Sequence, residues 1–185
     1  MEVYHGTILN FALNIEENGI DLTKSNEYLD FGRGFYVTPD KKMAENMAKR
    51  VAVRYLRTIK NPIPAVVTFE YDENINLKIK KFDDSDIEWA KFILKNRVTE
   101  EIATELHINE NDDEQYDIVI GETADGNIAT IAADLRTGKT QTADFEINIS
   151  DFLKDDGKTY GTQIVFCTKD ALSCIKYIKY DIIKM

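Results

Sequence analysis

The segment Phe31-Gly32-Arg33-Gly34-Phe35-Tyr36-Val37-Thr38 constrains this chain more than any other. Two glycines flank one arginine, an aromatic pair follows, and Thr38-Pro39-Asp40 then spells the start of a helix. Glycine tolerates backbone conformations that a Cβ forbids, so the spacing predicts a tight turn whose main chain can approach a ligand closely. Phe35 and Tyr36 offer flat rings on which a planar group can stack. Thr38 as N-cap, Pro39 at the first helical position and an acid in the first turn predict the helix entry.

Elements on either side follow from periodicity. Val3-Tyr4-His5-Gly6-Thr7 predicts a short strand running into a turn, and Ile8, Phe11, Ala12 and Ile15 predict a helix that stops at Gly19. Ala44, Ala48, Val51, Ala52, Tyr55 and Ile59 form the apolar stripe of the helix after Thr38. Asn61-Pro62-Ile63-Pro64 breaks it, and Ala65 to Tyr71 reads as a strand. Leu77 to Phe82 predicts a shorter strand. Ser85 and Glu88 predict a capping box for a helix to about Asn96, and a second helical piece is expected near 99–107. Tyr116 to Gly121 predicts a buried strand and 127–136 a helix, while 145–153 fits a strand or a short helix. Gln163 to Thr168 predicts a strand, after which Thr168 caps a last helix carrying Ala171, Leu172, Ile175 and Ile178. One α+β domain spanning 1–185 is expected.

Composition narrows the functions. The net charge of −10 argues against general attraction to nucleic acid or anionic lipid. Its distribution is uneven: 41–60 holds Lys41, Lys42, Lys49, Arg50, Arg54, Arg57 and Lys60 against Glu45 alone, and acids accumulate between Arg97 and Arg136. A basic face could steer an anionic partner, and a solvated helix face explains the pattern as well. No run approaches the ~18 apolar residues of a membrane span, and the first residues lack a signal pattern, so a cytoplasmic protein is expected. Cys167 and Cys174 have no histidine at zinc spacing; core packing is expected of them, and no metal.

His5-Gly6-Thr7 and Gly32-Arg33-Gly34-Phe35-Tyr36 together resemble the first and second motifs of the ADP-ribosyltransferases of the His-Tyr-Glu type. More closely, the chain resembles a bacterial family known as a domain of unknown function and grouped with those transferases. The likeness extends to Trp89–Arg97, Tyr116–Gly121 and Gln163–Thr168. It implies split mixed and antiparallel sheets with flanking helices, and a cleft that binds NAD as co-substrate. The Gly6 backbone would hold the nicotinamide carboxamide, Tyr36 would stack on the ring, and His5 would bond a ribose hydroxyl. His5, Gly6, Thr7, Gly32, Arg33, Gly34, Phe35 and Tyr36 are thus the expected cofactor-binding residues, with His5, Tyr36 and Gln163 catalytic. Arg33 is suited to the diphosphate, because guanidinium meets phosphate oxygens in pairs.

At the third position the family glutamate is replaced by Gln163. A glutamine orients a ribose hydroxyl but brings no full charge to an oxocarbenium-like transition state. This favours transfer of a single ADP-ribose to a macromolecular acceptor, protein or nucleic acid, over polymer synthesis. The alternatives are a binding module for NAD or ADP-ribose without turnover, and NAD hydrolysis. The resemblance also implies a toxin or effector with a small antitoxin-like partner. His107 is expected to be structural and Asn96-Arg97 to end a helix, while Asp117 and Asp125 are candidate substrate contacts.

Overall fold

The computed structural model of the chain describes residues 1–26, 28–73, 76–108, 115–124, 126–140 and 161–184. Strand β1 (Glu2–Ile8) leads into α1 (Leu9–Asn18), and a 3-10 turn (Leu22–Lys24) precedes β2 (Phe35–Val37). Helix α2 (Lys41–Tyr55), β3 (Pro64–Tyr71), β4 (Ile79–Lys81), α3 (Ile87–Arg97) and α4 (Glu100–Glu105) follow. The chain continues through β5 (Ile118–Glu122), α5 (Gly126–Arg136), β6 (Thr162–Phe166), a one-turn α6 (Lys169–Leu172) and β7 (Ile175–Ile182).

The strands form two sheets, in the orders β1-β3-β7 and β2-β6-β5-β4. The first is antiparallel, and the second is mixed because β4 runs parallel to β5. This is the expected α+β class, with helices on both outer faces. Pro64–Tyr71 is apolar at nearly every position because β3 is the central strand, covered by α2 on one side and by the second sheet on the other. Between the sheets lie Val3, Val67 and Phe69 from one and Phe35, Val37, Ile164 and Phe166 from the other. Phe69 meets Phe35 edge-on with ring centroids 5.4 Å apart, and Tyr71 meets Phe166 likewise at 5.4 Å. Such pairs add about 0.5–1.5 kcal/mol each to the burial of the rings. The opposite face of the second sheet packs on α3 and α5 through Val119, Val165, Trp89, Ile93, Ile128 and Ala132.

Three local expectations are corrected. The last helix ends after one turn and is followed by β7, in which Ile178 is the extra residue of a bulge: Tyr177 pairs with Phe69 and Lys179 with the adjacent Thr68. Ile178 is itself exposed, so its spacing from Ile175 marks no buried helical stripe. Asp40, not Thr38, caps α2 by accepting from the amides of Lys42 and Met43, while Thr38 pairs with Tyr4 in a β-bridge. The cap of α3 is Asp86, and the Ser85 hydroxyl donates to Glu122 instead. The region 145–153 and Asp125 lie outside the described residues.

Gly6 sets the seat of α2. A Cβ built on it would lie 2.1 Å from the Ala44 carbonyl oxygen and 2.8 Å from the Ala48 nitrogen, both backbone atoms. Gly6→Ala should therefore push α2 off the sheet and cost about 1–3 kcal/mol. Urea unfolding should show a lower midpoint with an unchanged slope; an unmoved midpoint would mean that α2 is not seated through Gly6.

Candidate functional site

β1 and β2 begin to pair and then part. Tyr4 and Thr38 exchange both backbone hydrogen bonds, at 2.8 and 2.9 Å, and this bridge stands alone. The next residues in that register, Gly6 and Tyr36, are not bridged. Instead the His5 ring reaches across, its Nδ1 2.8 Å from the Tyr36 carbonyl oxygen. A side chain thus takes the acceptor that a ladder would have given to a backbone amide.

Alternation fixes where the Gly6 backbone points. Met1 and Tyr71 exchange backbone bonds across the β1–β3 edge, and Pro64, opposite Ile8, has no N–H to give. The odd residues of β1 therefore bond to β3, and the even ones direct N–H and C=O outward, as Tyr4 does toward Thr38. Gly6 follows Tyr4 by two and presents both groups to the split opposite Tyr36. Motifs distant in sequence thus face each other here.

The carbonyl can only accept, so Nδ1 of His5 carries the proton and a neutral ring keeps Nε2 as an acceptor. Burial pushes the His5 pKa below its ordinary 6.5, and the bond to the Tyr36 carbonyl opposes this only in part. The ring lies against Phe35, centroids 4.5 Å apart. Phe35 is itself buried in the intersheet core, as is Thr7, so these two support the site from beneath.

Tyr36 turns the opposite way along β2, toward the α3 side. Its hydroxyl donates to the Gly32 carbonyl at 2.6 Å and accepts from the Phe31 amide at 3.1 Å. Burial raises its pKa, so it stays protonated and holds both bonds. Gly32 has φ 76° with Asn96 Oδ1 2.8 Å from where a Cβ would sit, which leaves glycine as the residue that fits. Gly34 is pressed against Val165 and Phe166 of β6. The glycine-rich segment is thus a clamp on the Tyr36 ring. Exposed Arg33 lies with Lys95 and Tyr116 along a separate cavity.

Gln163 is buried on the Tyr36 face of β6, and its amide donates to Asp30 Oδ2 at 3.0 Å. The same carboxylate accepts from Arg97 Nε at 2.7 Å and Nη2 at 2.5 Å through Oδ1, and from the Ala124 amide at 3.3 Å through Oδ2. The sequence reading missed Asp30. Its signal was local, an acid directly before Phe31-Gly32, but its partners Arg97, Ala124 and Gln163 are remote in sequence. Arg97, expected as a helix end, is also this ion pair. Asp117 ties Thr168 to the Lys78 amide, and His107, at φ 52°, turns the chain after α4.

A family model described as Protein of unknown function (DUF3990) matches residues 1–177. The chain belongs to this family. No curated protein and no solved structure matches it. Among the described residues no helix is long and apolar enough to cross a membrane.

Two outcomes follow for this DUF3990 chain. Because the folded His5 pKa lies below its unfolded value, neutral His5 supports the fold above about pH 6.5 and that support is lost as pH falls. His5→Gln should flatten the decline in melting temperature between neutral pH and pH 5; parallel curves would show that His5 is not buried in this way. Gln163→Glu would put a second carboxylate beside Asp30, whose Oδ2 now lies 3.0 Å from the Gln163 amide, and so raise the carboxyl pKa of the pair. That variant should lie nearest the wild type in acid and fall behind as pH rises. Equal melting across the range would remove Gln163 from the Asp30 cluster.

Proposed function

We propose that the chain is an NAD-dependent ADP-ribosyltransferase that moves one ADP-ribose to a macromolecular acceptor and releases nicotinamide. The reading is carried by the interrupted β1–β2 pairing, which leaves the Gly6 N–H and C=O side by side at a split bordered by Tyr36. A primary carboxamide complements that pair, its NH2 donating to the carbonyl and its oxygen accepting from the amide. Nicotinamide bears such a carboxamide on a flat ring, and Tyr36, held through both bonds of its hydroxyl, is the stacking wall.

In this reading His5 accepts a ribose hydroxyl proton at Nε2, while its Nδ1–H is fixed by the Tyr36 carbonyl. The bond from ribose C1′ to the pyridinium nitrogen breaks and its electron pair leaves with nicotinamide as a neutral ring. The acceptor nucleophile then bonds to C1′ and gives up its proton to solvent water. Developing positive charge on the ribose is met by a dipole, since Gln163 and not a carboxylate occupies the β6 position. One transfer per acceptor fits that weaker stabilisation better than chain growth. A toxin or effector role, with an antitoxin-like partner, is part of the same proposal and is supported by the family resemblance of the two motifs.

A second reading has its own observation. The Gln163 amide is committed to Asp30 at 3.0 Å, which suits a module that binds NAD or ADP-ribose without turnover. Labelled NAD, given to the purified chain with and without cell lysate, separates the readings. Nicotinamide release with label on a macromolecule supports transfer, release with free ADP-ribose supports hydrolysis, and saturable binding without release supports the module. Tyr36→Ala should weaken NAD binding about fivefold, the worth of ~1 kcal/mol of stacking, while Tyr36→Phe keeps most of it. Binding of neither NAD nor ADP-ribose by the folded chain would overturn all three.

A further inference from the structure

The C-terminal half of α2 carries a charge pattern that the rest of the chain lacks. From Asn46 to Phe69 there is no Asp or Glu, although the chain holds 33 acidic residues. Lys41 and Lys42, at the start of α2, have acidic partners in Asp181 and Glu45. Among the described residues, Lys49, Arg50, Arg54, Arg57 and Lys60 form no ion pair and no side-chain hydrogen bond.

Helical spacing gathers these cations around exposed apolar residues. On a helix the neighbours of a position are those three and four residues away. For Val53 they are Lys49, Arg50, Leu56 and Arg57. Helical bonding continues past α2, since the Ile59 amide donates to the Tyr55 carbonyl at 2.8 Å. Val53 is 56% exposed and Leu56 58%, so both side chains stand out from the surface and neither lines a groove. Phe11 of α1 extends the apolar area: it is exposed and meets Tyr55 edge-on, with ring centroids 5.1 Å apart. A helix face built for water alone would hold polar residues at these positions.

The acids lie elsewhere. Those between Arg97 and Arg136 accompany α4 and α5, on the outer face of the mixed sheet, whereas α2 covers the outer face of the antiparallel one. Facing sheets alone stand about 10 Å apart. Salt screens charges over about 8 Å at physiological ionic strength, so the net charge of −10 has little hold on this face. Glu16 and Glu17 of α1 are in its last turn, about 8 Å beyond Phe11 along the axis.

A partner for this face must supply negative charge and also accept protruding aliphatic side chains. Nucleic-acid phosphates would meet the cations but offer Val53 and Leu56 nothing apolar. An acidic amphipathic helix docks in a groove, which side chains this exposed do not form. A bilayer with anionic phospholipid supplies both, phosphates for the guanidinium groups and an apolar boundary just beneath them. We propose that this end of α2 is a docking surface for an anionic phospholipid membrane, which the chain meets from one side without crossing. The proposal is independent of the NAD reading, because neither motif contributes a residue to this face.

The test is co-sedimentation of the full chain with vesicles of phosphatidylglycerol and phosphatidylcholine in equal parts, against vesicles of phosphatidylcholine alone. The chain should pellet with the mixed vesicles only, and about 0.5 M salt should release it. The double variant Arg50→Glu, Arg54→Glu should bind at least about tenfold more weakly, since each cation near such a surface is worth about fivefold. Leu56→Ser keeps every charge and should still weaken binding about threefold or more. All these positions are exposed, so the variants should keep the melting curve of the wild type, which is measured first. Equal pelleting with neutral vesicles, no pelleting with either, or indifference to the two arginine changes would overturn the proposal. So would indifference to Leu56→Ser, which would leave a bare charge contact open to any polyanion, duplex RNA included.

Discussion

The arrangement rests on one buried carboxylate. Asp30 accepts from Arg97, Gln163 and the Ala124 amide, and so joins the glycine-rich turn to α3, to β6 and to the segment between β5 and α5. A carboxylate out of water is tolerated when its lone pairs are filled, and each oxygen here has two donors. Removing one partner leaves a buried charge exposed to its desolvation cost, which is why such clusters hold remote segments in a fixed relation. The turn at Phe31 and Gly32 then grips the Tyr36 hydroxyl, so the orientation of that ring descends from Asp30 through the intervening backbone.

A second constraint is steric. Gly6 admits α2 so closely that the helix backbone occupies the volume a side chain would need. With α2 seated on one side and the intersheet core on the other, β1 cannot rotate toward β2 to complete a ladder. The two strands therefore share one bridge and diverge, and the polar groups of Gly6 are left for another partner. At Gly6 the close approach that a missing Cβ permits is made by a helix.

Most elements were legible in the sequence, because helices and buried strands declare themselves by period and by the residues at their ends. β3 and the stop of α1 at Gly19 are examples: a continuous apolar run and a glycine at φ 76° each have one good local explanation. Failures occurred where a long-range partner outbid a local one. Thr38 and Ser85 both fit as helix caps, but the first is held in a β-bridge and the second by Glu122, leaving Asp40 and Asp86 to cap. β7 was hidden because Ile178 fits a helical stripe in the sequence but is the exposed extra residue of a bulge. In the candidate site the motifs were found because each is contiguous. Asp30 escaped because its meaning lies in Arg97 and Gln163, which only the fold brings near.

The presence of glutamine at position 163 gains a physical reason from that cluster. Asp30 already supplies a carboxylate at this spot, neutralised by Arg97 and fully engaged. A glutamate beside it would set two carboxylates against one guanidinium in a buried place, where like charges oppose each other. Glutamine avoids the conflict, because its amide nitrogen donates to Asp30 and leaves the carbonyl oxygen as the acceptor end. A neutral dipole of fixed direction thus stands where a charge would destabilise the fold. The charge balance at this end of β6 is therefore a property of the Asp30 neighbourhood as much as of residue 163.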